Sequence, residues 1–186
     1  MPRPKPDKTA LLDAMARHVL EHGLNAASLR PLAKAAGTSD RMLIYHFGSK
    51  DALVADLLDH LAERMAQGLD EALPAARFDS VGAGLNTVVT LMRQPAFAPY
   101  SRVWLDIVSA SRNGAGDHSA TGKRVIDGFL DWIEARLPED TRAPTETARL
   151  VLTLIEGALV MDAVGHGGTT DRAVAALARL TEGPQT

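Results

Sequence analysis

A glycine stands between two short apolar-patterned segments in SLRPLAKAAGTSDRMLIYHFGSKDAL, residues 28–53, and this layout constrains the fold most strongly. Ser28 suits the cap of a first helix, because its hydroxyl can accept a backbone amide that has no partner within the helix. Gly37 follows the last residue of the apolar period and suits a left-handed helix end. Thr38 or Ser39 can cap the next helix. The spacing therefore predicts two helices joined by a tight turn.

Small and apolar residues occupy the positions where these two helices would touch. Ala33 lets the backbones approach, and Leu43 with Phe47 forms a stripe that faces the first helix. This is the spacing of a helix-turn-helix, although a purely structural helical hairpin has the same local pattern. The opposite side of the second helix carries side chains that suit base edges in a DNA groove. They are Ser39, Asp40, Arg41, Met42, Tyr45 and His46.

The residues that follow favour a DNA-binding role. Gly48 ends the second helix, Ser49 caps another, and Lys50 stands at the start of that third helix. Helix-terminal amides and an ammonium group at one place can bind a phosphate together. This arrangement predicts a contact with the nucleic-acid backbone.

Residues 7–57 as a whole resemble the DNA-binding end of the tetracycline-repressor (TetR) family of bacterial transcription regulators. The shared pattern begins with a first helix that ends in glycine, here Gly23, and a helix-turn-helix with Ala33 and Gly37. An aromatic segment ending in Phe follows at 45–47, and a Ser-Lys-acidic-x-Leu sequence opens the fourth helix at 49–53. The resemblance implies an all-α fold in which a three-helix N-terminal bundle is joined by a long fourth helix to a larger ligand-binding and dimerisation body. It also implies a repressor that a small-molecule effector releases from a near-palindromic operator.

Four positions depart from the family pattern. Ser28, Thr38 and Arg41 stand where Thr, Val and Gly are common, and Ile44 replaces a Tyr that usually contacts phosphate. We expect altered contacts with DNA binding retained. The resemblance and the outward face together predict DNA contacts from Ser28, Arg30, Thr38, Ser39, Asp40, Arg41, Met42, Tyr45, His46 and Lys50.

The charge distribution agrees with this assignment. Residues 1–50 contain eight Lys or Arg and four Asp or Glu, a net charge of +4, and the remainder carries −7 because the whole chain has −3. A basic N-terminal quarter suits one polyanion-binding face, although ordinary scatter of charge also gives modest imbalances. The PRPKP segment predicts a flexible basic arm over 1–6, in which Arg3 and Lys5 follow the DNA backbone or remain an idle tail.

One catalytic pattern occurs in the first helix, predicted over 7–22. His18, Glu21 and His22 match the H-x-x-E-H arrangement of zinc proteases, but no third ligand has a recognisable spacing. Two ordinary histidines at a helix end are the preferred interpretation. The chain has no cysteine, which excludes thiol catalysis and disulfides. We predict no enzyme activity, no metal and no cofactor.

Helical periodicity continues through the rest of the chain. Apolar residues recur every fourth position from Leu53 to Leu69, which predicts a long helix ending near Leu73, before Pro74. Strand patterns are nearly absent, so the predicted fold class is all-α.

Further helices are predicted over 80–93, 98–111, 120–137, 145–164 and 170–180, with a mobile loop at 112–122 and a glycine connector at 165–168. The predicted DNA-binding domain covers 7–57, and the predicted ligand-binding and dimerisation domain covers 58–186.

The C-terminal body carries large apolar groups beside polar ones, as ligand pockets do, although such residues at helical spacing also fill plain cores. The resemblance implies a small-molecule pocket in this body. Ligand contacts are predicted from Met92, Tyr100, Trp104, Phe129, Trp132, Met161 and Asp162. Arg102, Asp106, Asn86 and Glu156 are further polar groups that could orient a ligand.

The segment 145–164 is apolar around most of its circumference and must bury more than one face. Gly157 and Ala158 would let a second helix approach, which predicts a dimer seam built with 173–180. A central core helix of a monomer is the alternative. A two-fold pair of recognition helices can contact half-sites about 34 Å apart on duplex DNA.

The predicted partners are therefore a double-stranded DNA operator, an unidentified small-molecule effector and a second copy of the chain. No secretory leader and no run of about 18 to 20 apolar residues is present, so we expect a cytoplasmic protein that does not span a membrane. The competing interpretation is a small helical enzyme or ligand carrier whose helix-turn-helix-like corner is structural. Salt-dependent binding to duplex DNA distinguishes the two.

Overall fold

The computed structural model describes residues 7–74, 77–112 and 119–181. Over these residues the chain forms nine α-helices and no strand, so the all-α prediction is confirmed. The helices are α1 (Lys8–His22), α2 (Leu29–Ala35), α3 (Asp40–Phe47), α4 (Lys50–Ala72), α5 (Val81–Met92), α6 (Ala98–Arg112), α7 (Ser119–Glu134), α8 (Pro144–Ala163) and α9 (Gly167–Thr181). The predicted arm at 1–6 and residues 113–118 of the predicted loop lie outside the described residues.

The helices form two compact units. The first unit contains the described parts of 1–69 and 99–125, and the second contains those of 70–98 and 126–186. These units do not coincide with the predicted division after residue 57, because α6 packs into the first unit. Its Val103 and Ile107 are 3% and 6% exposed in the core of that unit.

The core of the first unit is built by the apolar stripes of its helices. Fully buried side chains include Leu11, Met15, Val19, Leu32, Leu43, Leu53 and Leu57. A polar contact also joins α1 to α4, because Asp13 Oδ1 accepts hydrogen bonds from His60 Nε2 and Arg64 Nη1, each at 2.9 Å. The hydrogen bond from His60, above all, holds the pKa of Asp13 below its usual value.

The turn between α2 and α3 has the predicted geometry. Gly37 is left-handed, with φ +63°, a conformation that glycine adopts without strain. Its amide donates to the Lys34 carbonyl at 3.2 Å, and the amide of Thr38 donates to the Ala33 carbonyl at 2.9 Å. Together these two hydrogen bonds form a Schellman motif, which ends α2. Ser39 then starts α3, because its Oγ accepts the amide of Met42 at 3.3 Å.

The second unit is built around α5, α8 and α9. Gly82 on α5 permits a close approach of α9, since a Cβ at this position would lie 2.9 Å from the Cα of Ala178. Gly165, at φ +78°, ends α8, but Gly167 already belongs to α9. The predicted connector at 165–168 is therefore too long, because glycine is tolerated in a first helical turn. Among the described helices, none combines the length and apolar character that a bilayer crossing requires.

Candidate nucleic-acid interface

The two sides of α3 differ sharply in exposure. Leu43 and Phe47 are buried, with 0% and 6% exposure, and they fix the inner side of the helix on the core. Tyr45 is 72% exposed, and Arg41 one turn before it is exposed as well. Ser39 and Asp40 are also exposed at the start of the helix. The helix therefore has an open polar and aromatic side, and the major groove of DNA is wide enough to admit an α-helix.

A second surface lies where α4 begins. Gly48 ends α3 with φ +83°, and Ser49 Oγ accepts the amide of Ala52 at 3.1 Å. Lys50 is exposed in this first turn. Within the parts of the chain that the structure describes, no ion pair joins Lys50, Arg30 or Arg41 to a carboxylate. Their charges are available to phosphate groups.

Some predicted DNA contacts are less open than their neighbours. Thr38 and Met42 are half-buried. His46 is also half-buried, and its Nε2 is enclosed without a hydrogen-bond partner in the described part of the chain. Its ring therefore points partly inward, and lies edge-on to Tyr45 with centroids 5.5 Å apart. Ser28 occupies the cap position of α2 and is exposed, but its side chain makes no capping hydrogen bond, contrary to the expectation.

One supporting residue was not predicted. Lys8 Nζ lies 5.0 Å from the ring centroid of Phe47 and 2.7 Å from Asp56 Oδ2. Lys8 thus contacts the end of α3 and the side of α4 at once. Its neighbours in the sequence give no indication of this contact, because both partners are distant along the chain.

The H-x-x-E-H segment has the geometry of a helix end. The rings of His18 and His22 stack with centroids 4.4 Å apart, and His22 Nδ1 lies 2.9 Å from the carbonyl oxygen of His18. Among the described residues, no group of three His, Cys, Asp or Glu side chains could hold a metal ion. The arrangement is that of two ordinary stacked histidines.

The predicted ligand-binding residues are divided between the two units. Tyr100 and Trp104 pack against the core of the first unit, whereas the other five belong to the second. There Met92 is buried, Met161 is 40% exposed, and Trp132 Nε1 donates to Asp70 at 2.8 Å. A groove of about 310 Å³ in the second unit contains none of the seven. Its lining residues are Ala72, Leu73, Pro74, Arg77, Phe78, Asp79, Ala83 and Thr87.

The carboxylate of Asp162, a predicted ligand contact, is already hydrogen-bonded to other side chains of the second unit. It accepts hydrogen bonds from Arg93 Nε and Nη2 at 2.6 and 2.9 Å, and from Thr170 Oγ1 at 3.2 Å. Arg93 also donates to Asp171 at 2.6 Å. The hydrogen bonds from Arg93 lower the pKa of Asp162, and the hydrogen bonds that Arg93 donates to Asp162 and Asp171 raise the pKa of Arg93. Asp162 therefore joins α8 to α9 and to the end of α5.

Known proteins share this helix-turn-helix segment. Residues 7–57 match the family model described as bacterial regulatory proteins, tetR family. The chain belongs to the TetR family. This confirms the resemblance seen in the sequence, and it makes the chain a helix-turn-helix, DNA-binding transcriptional repressor.

Individual relatives extend the match beyond that segment. The HTH-type transcriptional repressor AcnR of Corynebacterium glutamicum is 28% identical over 184 residues, which cover 83% of this chain and 93% of AcnR. The repressor KstR2 of Rhodococcus jostii is 34% identical over 94 residues, 44% of this chain and 46% of KstR2. The multidrug binding protein EbrR, solved in complex with imidazole, has a TM-score of 0.68 at 21% identity, over 96% of this chain and 92% of EbrR. Both curated relatives are named as transcriptional repressors.

The role of Asp162 can be tested by its pH dependence. Asp162→Asn removes a charged acceptor from Arg93, so the free energy of unfolding near neutral pH should fall by about 1–3 kcal/mol. Because the folded pKa lies below the ordinary value of 3.8, the contribution of Asp162 is present above that value and is lost as pH falls through the folded pKa. Thermal melts should separate wild type from variant more at about pH 7 than at about pH 3.

The exposed Asp127 on α7 supplies the matched control. Asp127→Asn should leave the melting temperature within about 1 °C of wild type. A separation between Asp162→Asn and wild type that is the same at both pH values would contradict the assignment.

Proposed function

We propose that this TetR-family repressor binds its operator with the outward side of α3 in the major groove. The observation that supports this most is the orientation of α3, in which Leu43 and Phe47 are buried while Tyr45 is 72% exposed. Arg41 is the proposed base reader, because a guanidinium can pair with two acceptors of guanine at once. Lys50, with the amides of the first turn of α4, is the proposed phosphate contact. The full set of proposed contacts is Ser28, Arg30, Thr38, Ser39, Asp40, Arg41, Met42, Tyr45, His46 and Lys50, with His46 at the edge because it is half-buried.

We further propose that α8 forms a homodimer seam. A row of exposed residues follows one side of this helix, and the large ones are Leu150, Val160, Met161 and Val164. Gly157 lies in the same row and has open space beside it, so a second helix can approach there. Ala158 is buried within its own unit, and we leave it out of the seam. An exposed apolar row on a helix whose other side is already packed is what a second copy would cover.

A symmetric dimer implies a symmetric operator. Two recognition helices related by a two-fold axis read two inverted half-sites, separated by about 34 Å or a multiple of that distance. The proposed operator is therefore near-palindromic. Binding to chromosomal DNA implies that the protein works in the cytoplasm.

We propose that a small-molecule effector releases the repressor. EbrR, a structural neighbour, is a multidrug binding protein solved with imidazole, and this supports ligand binding as a property of the fold. Met92, Phe129 and Trp132 remain proposed contacts in the second unit, whereas the Arg93 contacts of Asp162 argue for a structural role there. An effector changes operator affinity only through different affinities for two conformations, typically about 1–3 kcal/mol of coupling.

Lys50→Ala tests the proposed phosphate contact. Loss of one phosphate contact should weaken specific and nonspecific DNA alike, and the slope of log affinity against log salt should fall by about 0.9. Fluorescence anisotropy of labelled duplexes over a salt series measures both quantities. Lys123→Ala, at an exposed lysine on α7, is the control and should leave the slope unchanged. An unchanged slope in Lys50→Ala would show that Lys50 does not contact DNA.

Val160→Arg tests the proposed seam. A charge introduced twice at a two-fold interface should raise the dimer dissociation constant by about 10-fold or more. Val108 on α6 is a matched control, because both valines are 46% exposed. Sedimentation equilibrium should therefore show a weakened dimer for Val160→Arg and an unaltered dimer for Val108→Arg. Equal behaviour of the two variants would remove α8 from the seam.

A further inference from the structure

In the first unit, two side chains of α6 bind the backbone where α1 ends and the α1–α2 connection begins. Asp106 Oδ2 accepts a hydrogen bond from the amide of Leu24 at 3.0 Å. Arg102 Nη2 donates to the carbonyl oxygen of Leu20 at 2.8 Å. Arg102 and Asp106 are one helical turn apart, so both leave the same side of α6. Each contacts a residue 82 positions earlier in the chain.

The local sequence explains why these contacts are needed. A 3-10 turn over Leu24–Ala26 follows α1, and its cap position is Gly23, with φ +82°. Leu24 is the first residue of the 3-10 turn, so its amide has no partner within the turn, and Asp106 provides the missing acceptor. A Cβ at Gly23 would lie 3.2 Å from Asp106 Oδ2, so the glycine also leaves room for it. The last carbonyls of α1 lack partners within the helix, and Arg102 supplies a cationic donor at this negative end.

The connection that these contacts hold determines where α2 begins. α2 starts at Leu29, two residues beyond the 3-10 turn, and the Schellman motif at Gly37 then fixes α3 relative to α2. Val103 and Ile107, buried in the same core, hold α6 in its register against α1. A change at the α1–α2 connection is therefore passed on to the orientation of α3.

We propose that Asp106 and Arg102 are positioning residues for DNA binding, which hold the α1–α2 connection in the conformation that presents α3 to DNA. The proposal rests on the DNA binding by α3 proposed above. Neither residue touches DNA in this scheme. Their loss lowers the fraction of binding-competent molecules and leaves the number of phosphate contacts unchanged.

The test compares full-length variants on duplexes that the wild-type chain enriches from a random-sequence pool. Asp106→Ala should weaken binding by about 5- to 10-fold with an unchanged salt slope, since a helix cap is lost. Asp106→Asn keeps an oxygen that accepts the amide of Leu24, so its affinity should stay within about 2-fold of wild type. Hydrogen exchange at the Leu24 amide, followed by NMR, should accelerate in Asp106→Ala and not in Asp106→Asn.

Asp59→Ala is the matched control in the same unit. It removes the carboxylate that Arg124 contacts at 2.8 and 2.9 Å between α4 and α7, and should change neither affinity nor Leu24 exchange. Arg102→Ala carries the same test on an exposed side chain if Asp106→Ala does not fold. It should weaken binding by about 3-fold with an unchanged salt slope.

The outcomes separate this proposal from the proposed function. Wild-type affinity and exchange in both Asp106→Ala and Arg102→Ala would overturn the positioning role and leave DNA binding intact. An equal loss of affinity in Asp106→Asn or Asp59→Ala would also overturn it, because charge or general stability would then be the cause. A wild-type chain that binds no duplex would overturn both proposals.

Discussion

The left-handed turn at Gly37 is the constraint on which the surface chemistry of the first unit depends. Its two backbone hydrogen bonds end α2 and set the direction of α3 within three residues. Leu43 lies in the same core as the buried residues of α1 and α2, and this fixes the rotation of α3 about its own axis. Because successive residues of a helix differ by about 100° in direction, a one-residue shift in the turn would rotate Tyr45 and Arg41 away from their present side.

The cations of the first unit divide into two groups by their surroundings. Lys8, Arg64 and Arg124 are paired with carboxylates and join helices to one another. Arg30 and Lys50, in contrast, are exposed, and in the described part of the chain they have no carboxylate partner. The chain as a whole has a net charge of −3, but its carboxylates pair with the cations that join helices to one another. Arg30 and Lys50 stay exposed, so this surface can bind a polyanion.

Sequence patterns were sufficient wherever the physics is local. The bounds of α2 and α3, the turn at Gly37 and the buried stripe with Leu43 follow from apolar periodicity and from glycine, all within a few residues of one another. The predicted start of α9 was wrong because glycine occurs both in connectors and in the first turn of helices. Gly167 lies in the first turn of α9. Nothing in the local pattern separates these cases.

Long-range polar partners were beyond sequence analysis. Asp162 and Asp106 were expected to orient a ligand, since an acid among apolar residues suits a pocket. Asp162 instead meets Arg93, 69 positions away, and Asp106 meets the Leu24 amide. Helical spacing shows which side of a helix carries a carboxylate, but not which distant backbone or side chain that side will face. The packing of helices within each unit decides this.

The central claim is that the exposed side of α3 meets DNA, and hydroxyl-radical footprinting of the full chain tests it most directly. Tyr45 and Met42 are reactive side chains within that surface, and Trp132, half-buried in the second unit, serves as the internal reference. Saturating duplex DNA should slow oxidation of Tyr45 several-fold and leave oxidation of Trp132 unaltered. Unaltered oxidation of Tyr45 in a chain that has bound the duplex would contradict the account, because the DNA would then lie on another surface.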